Sequence, residues 1–550
     1  MTVIDDARAW LGQDPDDRTR AQLTTLIDAA EAGDPDARVE LEDAFAGTLE
    51  FGTAGLRGRI GPGPNRMNLV VVARAAAGLA RYLDERGGGA VIIGHDARHD
   101  SDLFAKVSAQ ILSGAGLSVM MLPAHLPTPV LAFAVRTLGA AAGVMVTASH
   151  NPPADNGYKV YLADGSQIVP PADAEISAHI ADVTALGPVA DLPHGDEWVT
   201  LGDDVIAAYV AKAAALVEPG PPLHLRLAYS AMHGVGGRLF LRVLEEAGFP
   251  EPVVVEEQFD PDPDFPTVAF PNPEEPGAMD LAFAAAAAAD CDLVIAHDPD
   301  ADRCAVGVPT ADGWRMLSGD EVGWLLGWWI AAGNRRLSRN GVFAQSIVSG
   351  SMLEAIARDA HLGYTETLTG FKWIARVPDL MFGYEEALGY CVDPNGVRDK
   401  DGISAGLMVA EMAARLKAWN SGLIEVLDDL ATEYGVHATA QVSVRVAELA
   451  RINAVMASLR DNPPQSVAGI AVTSVEDLAA GSDALPPTDG LRIMLASGTR
   501  IIIRPSGTEP KVKCYLQCVR DVGDDSLESV RASAEAELEA VTAEVARWLE

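Results

Sequence analysis

The sequence predicts an α/β protein in which three similar domains with mixed or mainly parallel sheets precede a smaller C-terminal α+β domain. Short apolar runs alternate with alanine- and leucine-rich helical patterns over most of the chain, which is typical of layered α/β domains. The length of 550 residues corresponds to three or four domains at roughly 150 residues each. Near residue 438 the pattern changes to alternating strands around one helix, and a long acidic helix over 527–549 follows.

The elements can be placed in chain order from these patterns. Buried strands are predicted at 91–94, 118–122, 143–147, 225–229, 293–296 and 500–503, and helices at 104–113, 280–289, 407–419, 447–459 and 527–549. Six prolines between 260 and 276 remove ladder donors, so this stretch is predicted to be a surface loop. The resulting domains are 1–204, 205–318, 319–437 and 438–550.

The composition of the chain argues against some classes of partner and indicates where the protein is located. The 41 basic and 78 acidic side chains give a formal net charge of −37, which repels nucleic acid and anionic membrane surfaces. Apolar runs stay well short of the ~20 residues of a membrane span, and no signal or transit peptide is visible, so a cytoplasmic protein is expected. The five cysteines form no C-x-x-C pair, which favours reduced, structural thiols.

A serine follows one of the predicted buried strands. The run Thr147-Ala-Ser149-His150-Asn151-Pro152 comes directly after the strand at 143–147. Open α/β sheets bind ligands beyond the carboxyl ends of their strands, and the prolines at 152 and 153 stiffen the turn. A serine here is also common in ordinary turns, so the other motifs decide its significance.

Three alternating carboxylates follow the strand at 293–296. In Asp298-Pro-Asp300-Ala-Asp302-Arg303 the aspartates can converge on one Mg²⁺ or Ca²⁺, and Mg²⁺ is favoured if a phosphate oxygen completes the shell. An EF-hand is the obvious alternative. It fails because loop position 6 would be Arg303 instead of glycine and position 12 would be Pro309 instead of glutamate.

Several glycine-containing loops are further candidates for binding phosphate or sugar. The run 504–511 (Arg-Pro-Ser-Gly-Thr-Glu-Pro-Lys) combines a guanidinium, two hydroxyls and a flexible glycine, which are the components of a phosphate-binding loop. The loops 383–387 and 398–402 place carboxylates and a lysine where they could bind sugar hydroxyls. The loops 51–58 and 369–372 each pair glycine with a basic residue. None of these loops has the P-loop pattern, and 234–237 lacks the third glycine of a dinucleotide loop.

Taken in order, five of these segments resemble the signature loops of the α-D-phosphohexomutase superfamily. They are 51–58, 147–152, 298–303, 383–387 and 504–510. The resemblance extends from about residue 51 to 513 and is strongest to the phosphoglucomutase-2 and bacterial phosphomannomutase branch, through Gly-Phe-Lys-Trp-Ile at 370–374 and Lys-Asp-Gly-Ile at 400–403. The resemblance implies four domains around a central cleft.

The resemblance implies an intramolecular phosphotransferase that interconverts hexose 1-phosphate and hexose 6-phosphate, with glucose or mannose as the sugar. Ser149 is then the phosphoserine, and one Mg²⁺ is held by a phosphoryl oxygen on Ser149 and by Asp298, Asp300 and Asp302. The sugar passes through a 1,6-bisphosphate, which is also the expected activator. Such transfer needs a metal and positioned cations because charge develops on the moving group.

The resemblance also implies roles for further residues. Lys159 is the expected general acid or base, and Lys400 or His150 could share that task. Arg303 and Arg57 would orient phosphate near the metal. Substrate binding is expected at Arg303, Thr369, Gly370, Lys372, Glu385, Arg504, Ser506, Gly507 and Thr508. The expected partners are small-molecule sugar phosphates, and the expected state is a monomer or homodimer.

One residue departs from the pattern of many glucose and mannose mutases, which resemble each other in having a serine or threonine where this chain has Ala387. The missing hydroxyl removes one sugar contact, and the branch with alanine here includes enzymes acting on pentose phosphates. Interconversion of ribose 1-phosphate and ribose 5-phosphate is therefore the alternative activity. A phosphatase that hydrolyses the phosphoserine and a catalytically silent sugar-phosphate sensor are also possible activities of such a chain.

Overall fold

The computed structural model describes residues 2–218, 220, 223–337, 340–445, 449–482, 485–505 and 511–549, without the side chains of 334–339 and 445–450. The chain divides into two compact units. The first unit comprises Met1–Met316 and Gly389–Ala414, and the second comprises Leu317–Leu388 and Arg415–Glu550.

Up to Met316 the chain alternates helices and strands. The helices are α1 (Val3–Leu11), α2 (Asp17–Glu31), α3 (Pro35–Ala44), α4 (Leu69–Asp84), α5 (Ser101–Gly114), α6 (Thr128–Thr137), α7 (Ala172–Leu186), α8 (Asp203–Ala214), α9 (Gly237–Glu246), α10 (Glu256–Phe259) and α11 (Asp280–Ala288). The strands are β1 (Leu56–Arg59), β2 (Ala90–His95), β3 (Ser118–Met121), β4 (Ala142–Val146), β5 (Asp155–Leu162), β6 (Val199–Thr200), β7 (Leu227–Ser230), β8 (Val253–Val254), β9 (Leu293–Ala296), β10 (Ala305–Thr310) and β11 (Gly313–Met316).

The remaining elements follow in the same numbering. The helices are α12 (Gly319–Leu337), α13 (Met352–Asp359), α14 (Phe371–Ile374), α15 (Gly402–Ala418), α16 (Leu423–Tyr434), α17 (Leu449–Asp461) and α18 (Leu527–Leu549). The strands are β12 (Val342–Ser346), β13 (Gly363–Thr367), β14 (Leu380–Glu385), β15 (Gly389–Cys391), β16 (Val436–Arg445), β17 (Ser466–Val467), β18 (Ile470–Asp477), β19 (Leu491–Leu495), β20 (Arg500–Pro505) and β21 (Lys511–Arg520).

Two mixed sheets form the centre of the first unit. The first has the order β1-β5-β4-β2-β3-β6, and β4, β2, β3 and β6 run parallel while β5 is antiparallel to β4. The second has the order β11-β10-β9-β7-β8, with β9, β7 and β8 parallel. Strands β4 and β9 are buried along their whole length, which explains why both are continuous apolar runs in the sequence. Polar loops follow each of them.

Three N-terminal helices pack on the core of the first sheet, and the sequence analysis did not predict them. Their capping signals were nonetheless present: Thr2 and Asp5 form a capping box on α1, and Asp16 and Asp34 cap α2 and α3. Apolar side chains on all three helices are buried in the same core as β2 and β4, so these helices extend the first domain.

The second unit contains a parallel arrangement and an antiparallel one. Strand β12 pairs in parallel with both β13 and β14, so the carboxyl ends of the three strands lie at one edge. The antiparallel sheet has the order β16-β21-β20-β19-β18-β17. Helix α18 belongs to the core of this sheet and buries one stripe at helical spacing: Val530, Ala534, Leu538, Val541, Val545 and Leu549.

The structure confirms the predicted fold class, with mixed or parallel sheets before an antiparallel C-terminal sheet. The predicted strands appear within two residues of their expected ends, and the long helix at 527–549 is confirmed. The domain boundaries at 204, 318 and 437 stay predictions. The loop 260–276 contains no helix or strand, but Phe265 within it is buried, so the expectation of a surface loop was wrong at that residue. Within the described residues, no helix combines the length and hydropathy that a bilayer crossing requires.

Candidate active site

The loop after β4 holds Ser149 in an unusual backbone conformation. Its φ is +51°, in the left-handed region that residues with a Cβ seldom adopt. The Ser149 amide donates to Thr147 Oγ1 at 2.9 Å, and the residue is 3% exposed. Its hydroxyl donates to Asp298 Oδ2 at 2.8 Å. The loops after β4 and β9 therefore meet at the serine hydroxyl, as ligand sites in α/β sheets do.

The three aspartates of the loop after β9 converge in the interior. Asp298, Asp300 and Asp302 are at most 1% exposed, and their ligand oxygens lie within 4.8 Å of one another. Burial raises the pKa of Asp298 well above its usual value, and the charges of Asp300 and Asp302 raise it further. Three carboxylates at this distance repel one another strongly unless cations balance them.

The carboxylates are suited to a divalent cation. Oδ1 of Asp300 and Oδ1 of Asp302 are buried, and neither has a hydrogen-bond partner among the described residues. Buried carboxylate oxygens rarely go without a partner, so the pair marks a place for a ligand. Hard oxygen donors in a group of three are what Mg²⁺ takes, usually with phosphate oxygens completing its shell. The residues present thus fit the predicted metal.

Two lysines balance the charge of the carboxylates. Lys159 Nζ, on β5, lies 2.6 Å from Asp300 Oδ2 and 2.9 Å from Asp302 Oδ2. Lys400 Nζ lies 3.3 Å from Asp302 Oδ2. Burial alone would raise the pKa of Asp302, but Lys159, Lys400 and Arg303 outweigh it and hold that pKa well below its usual range. The predicted lysines are therefore in direct contact with the predicted metal ligands.

The remaining predicted residues of the first unit also lie at this site. His150 Nδ1 is 3.2 Å from Ser149 Oγ, and burial together with Arg303 and Arg57 lowers the histidine pKa well below its usual value. The Arg303 amide donates to Asp298 Oδ1 at 3.1 Å. Arg57 NH1 donates to Asn151 Oδ1 at 3.4 Å. Arg57 therefore contacts the loop of Ser149, and Arg303 contacts the loop of the aspartates.

The loop that carries Lys400 is fixed by contacts that the sequence analysis missed. Asp399 Oδ2 accepts hydrogen bonds from Tyr161 OH at 2.7 Å and from Gln167 Nε2 at 2.8 Å. His297 Nε2 donates to the Gly402 carbonyl at 2.9 Å. A Cβ on Gly402 would lie 2.1 Å from the Arg303 carbonyl oxygen, so only glycine permits this approach to the aspartate loop.

Apart from Arg303, the predicted substrate-binding residues belong to the second unit. Thr369, Gly370 and Lys372 follow β13, and Glu385 ends β14, so both segments lie at the same edge of the parallel strands. Arg504, on β20, faces Lys513 on β21 in the strand register. Ser506, Gly507 and Thr508 lie outside the described residues.

The neighbouring Glu386 also belongs to the loop 383–387, but its carboxylate forms hydrogen bonds within the protein. Its Oε2 accepts hydrogen bonds from Ser349 Oγ at 2.9 Å and from Ser346 Oγ at 3.2 Å. The carboxylate therefore organises the loop after β12, and Glu385 is the glutamate of the pair that stays a prediction for sugar binding.

Two further residues that the sequence analysis missed contact the catalytic loops. Thr128 Oγ1 donates to Asp300 Oδ2, and the Thr128 amide donates to the Asp300 carbonyl at 3.0 Å. Arg98 contacts the backbone of the Ser149 loop. Neither has a sequence signal of its own, although Asp96-Ala-Arg98 also follows a buried strand, β2, which was the feature that identified the serine and aspartate loops.

Comparison with known proteins agrees with this arrangement. Family models of phosphoglucomutase/phosphomannomutase match domain I at 48–186, domain II at 207–312, domain III at 318–434 and the C-terminal domain at 442–533. A Haemophilus influenzae protein named probable phosphomannomutase is 46% identical over 475 residues, covering 85% of this chain and 96% of its own. Human phosphopentomutase is 32% identical over 592 residues, covering 95% and 92%.

A solved structure shares the fold. The phosphoglucomutase/phosphomannomutase family protein of Burkholderia thailandensis superposes with a TM-score of 0.69 at 22% identity, over 91% of this chain and 96% of the other. With four family domains in order and identity of 46% to a relative that is matched nearly end to end, this chain belongs to the phosphoglucomutase/phosphomannomutase family of intramolecular phosphotransferases, in the α-D-phosphohexomutase superfamily.

Proposed function

We propose that this enzyme interconverts hexose 1-phosphate and hexose 6-phosphate, with glucose or mannose as the sugar, through phosphorylated Ser149 and a 1,6-bisphosphate. The observation that carries the proposal is the buried contact of Ser149 Oγ with Asp298 Oδ2 at 2.8 Å, beside two further aspartates and two lysines. A hydroxyl among carboxylates and cations is suited to phosphoryl transfer, which depends on positioning and charge stabilisation.

The reaction exchanges one phosphate ester for another. The bond between phosphorus and Ser149 Oγ breaks while a bond from the sugar hydroxyl oxygen to phosphorus forms. The return transfer then takes the other phosphate of the bisphosphate back to Ser149. The attacking hydroxyl loses its proton to a group within hydrogen-bond reach, and the departing Ser149 oxygen takes up a proton to become the serine hydroxyl. Lys159, Lys400 and His150 are the candidates for these proton transfers. The distance of 3.2 Å between His150 Nδ1 and Ser149 Oγ supports His150 as one of these groups.

The metal has a defined place in this proposal. Asp298, Asp300 and Asp302, with a phosphoryl oxygen on Ser149, would hold one Mg²⁺, which when bound neutralises charge on the moving phosphoryl group. Arg303 is fixed by the hydrogen bond that its backbone N–H donates to Asp298 Oδ1 and by Glu274, whose Oε2 lies 3.7 Å from Arg303 NH1. We assign Arg303 and Arg57 to orienting the phosphoryl oxygens.

The second unit supplies the residues proposed for the rest of the substrate. Glu385 would bind sugar hydroxyls, and the loop of Thr369, Gly370 and Lys372 would contact the substrate beside it. Arg504 with Ser506, Gly507 and Thr508 would bind the phosphate that is not reacting, since guanidinium and hydroxyl groups are strong phosphate partners. A cytoplasmic location and a monomeric or homodimeric state stay predictions.

A phosphopentomutase is the second candidate. Ala387 lacks the hydroxyl found in many hexose mutases, and the human relative named phosphopentomutase is 32% identical across nearly the whole chain. The deciding experiment measures kcat/KM for glucose 1-phosphate, mannose 1-phosphate and ribose 1-phosphate side by side, each primed with its bisphosphate. A hexose preference supports the proposal, and a ribose preference replaces it with the second candidate.

The same assay distinguishes a mutase from a phosphatase and from a silent sugar-phosphate sensor. Release of inorganic phosphate without isomerised sugar would indicate a phosphatase. Binding of sugar phosphate without either reaction, in the presence of Mg²⁺ and the primer, would indicate a sensor. Either outcome would refute a mutase.

A further inference from the structure

We propose that Arg98 is a positioning residue that holds the backbone of the Ser149 loop in its reactive conformation. The inference rests on the proposed transfer through Ser149 and adds to it a residue that touches neither the metal ligands nor the serine hydroxyl. Its side chain is 1% exposed, behind the loop.

The guanidinium gathers four backbone carbonyls of one short segment. NH2 donates to the carbonyls of Ser149 at 2.5 Å and Asn151 at 2.6 Å. NH1 donates to the carbonyls of Pro152 at 2.9 Å and Asp155 at 3.3 Å. One side chain thus fixes the direction of four peptide groups that follow the nucleophile.

These contacts stabilise a conformation that the loop would not adopt by itself. Ser149 has a φ of +51°, and a non-glycine residue in this region is strained by about 1 kcal/mol or more. The Ser149 carbonyl is buried and the other three are partly buried, and carbonyls withdrawn from water without donors are costly, so a side chain with several N–H groups stabilises them together. Arginine offers five donors in a fixed fork, which lysine cannot match.

Contacts outside the Ser149 loop also hold Arg98 in place. Asp96 Oδ1 accepts from the Arg98 amide at 3.0 Å and from Ser101 Oγ at 2.6 Å, and Asp96 Oδ2 lies 3.5 Å from Arg98 Nε. The ring of Phe265 lies 4.9 Å from the guanidinium carbon, a cation–π distance. The end of β2 and the loop 260–276 therefore fix Arg98 from two directions.

The terminal donors of the guanidinium are occupied by the loop. NH1 and NH2 each carry two hydrogens, and all four are used by the carbonyls, while Nε makes no hydrogen bond and lies 3.5 Å from Asp96 Oδ2. A residue that binds the substrate phosphate would keep a terminal donor for it. Arg98 acts through the loop, which distinguishes it from Arg57 and Arg303.

The test compares Arg98→Met and Arg98→Lys with Arg238→Met, a control in the same unit whose side chain is 81% exposed. A displacement of the nucleophile by about 1 Å can cost roughly 100-fold in rate. We expect kcat to fall about 100-fold in both Arg98 variants, with KM for the sugar monophosphate within about threefold of wild type. In Arg98→Ala, added guanidinium should restore part of kcat, which a general loss of stability would not allow.

Amide exchange reports the loop without relying on turnover. Segment 147–157 should exchange at least about tenfold faster in Arg98→Met, while strand β20 stays unchanged. If the wild-type protein has no mutase activity but Arg98→Met still exchanges faster in this segment, the proposed function is refuted. The role of Arg98 in holding the loop is then still supported. Unchanged exchange and kcat within threefold of an active wild type would overturn the role of Arg98.

A second variant, Phe265→Leu, tests the proposal if the Arg98 variants do not fold. Phe265→Leu leaves Arg98 in the protein and removes the aromatic ring that holds its guanidinium against the carbonyls. If Arg98→Met and Arg98→Lys do not fold, Phe265→Leu should lower kcat about three- to tenfold at unchanged KM and speed exchange of segment 147–157. An unchanged kcat in that variant would then overturn the proposal.

Discussion

Lys159 Nζ lies 2.6 Å from Asp300 Oδ2, so a buried ammonium shares the carboxylates proposed for the metal. A positive charge at this distance repels a bound dication, because charges interact strongly in the interior. Lys159→Gln should therefore bind Mg²⁺ at least about tenfold more tightly, as measured by calorimetric titration. The same variant should lose about 100-fold or more in kcat, since the proposed acid or base is removed.

The control for this prediction is Lys106→Gln, at an exposed position on α5. Both Mg²⁺ affinity and kcat should stay at wild-type values. Weaker Mg²⁺ binding in Lys159→Gln would mean that the lysine organises the aspartates more than it repels the ion, and would contradict the electrostatic reasoning.

Ser149→Ala removes the oxygen that carries the phosphoryl group. Turnover should disappear, and incorporation of labelled phosphate from the sugar bisphosphate should stop. Binding of a sugar monophosphate should change by less than about threefold, because the substrate-binding residues are proposed elsewhere. Ser529→Ala, at an exposed position on α18, is the matched control. Residual labelling of the Ser149→Ala protein would point to another nucleophile.

Thr128→Val removes the hydroxyl donor to Asp300 Oδ2 while keeping the shape of the side chain. Partners that orient metal ligands typically contribute 10- to 100-fold to metal affinity. The Mg²⁺ concentration for half-maximal activity should rise about tenfold or more, with an unchanged KM for sugar phosphate at saturating Mg²⁺. Thr432→Val, at an exposed position on α16, should change neither value. A normal Mg²⁺ requirement in Thr128→Val would show that Asp300 needs no such support.

The sequence located the chemistry where reactive groups follow a buried strand directly. Ser149 after β4 and the aspartates after β9 were found in this way because strand and loop are adjacent in the chain. Thr128 is 172 residues from Asp300, and its contact depends on tertiary folding alone. An ordinary threonine carries no local mark of such a partner. Arg98 does follow a buried strand, β2, but the Ser149 carbonyl that it binds is 51 residues away, so its role also depends on tertiary folding.

The first three helices and Phe265 were missed for a different reason. The capping residues of α1 to α3 were readable, but these helices precede the first signature loop and carry no chemical motif, so they stayed unassigned. Phe265 lies among prolines and aspartates that predict a solvated loop. Its burial against Arg98 reflects one local contact that the average composition of the loop conceals.

Burial of Asp401 makes the free energy of unfolding depend on pH. Its carboxylate accepts from Tyr209 OH at 2.8 Å and from the Ser404 amide at 3.1 Å, and burial raises its pKa from 3.8 to about 6. Between these values the folded protein binds the proton more tightly than the unfolded chain, so raising the pH through this window lowers stability. The loss is on the order of 2–3 kcal/mol above pH 6.

Asp401→Asn removes this dependence while keeping an oxygen for both donors. Its Tm should equal that of wild type near pH 4 and exceed it by several degrees near pH 7, in thermal melts of the full chain. Asp28→Asn, at an exposed position on α2, should show a difference from wild type that does not vary with pH. A constant offset for Asp401→Asn would refute the raised pKa.

Ala387→Ser tests whether one missing hydroxyl sets the sugar preference. The residue lies two positions after Glu385, at the end of β14, where the sugar is proposed to bind. A neutral hydrogen bond contributes about 0.5–1.5 kcal/mol, so kcat/KM for hexose relative to ribose 1-phosphate should rise about two- to tenfold. Ala387→Val adds comparable bulk without a donor and should not raise the ratio. If serine leaves the ratio unchanged, the sugar preference depends on residues other than 387.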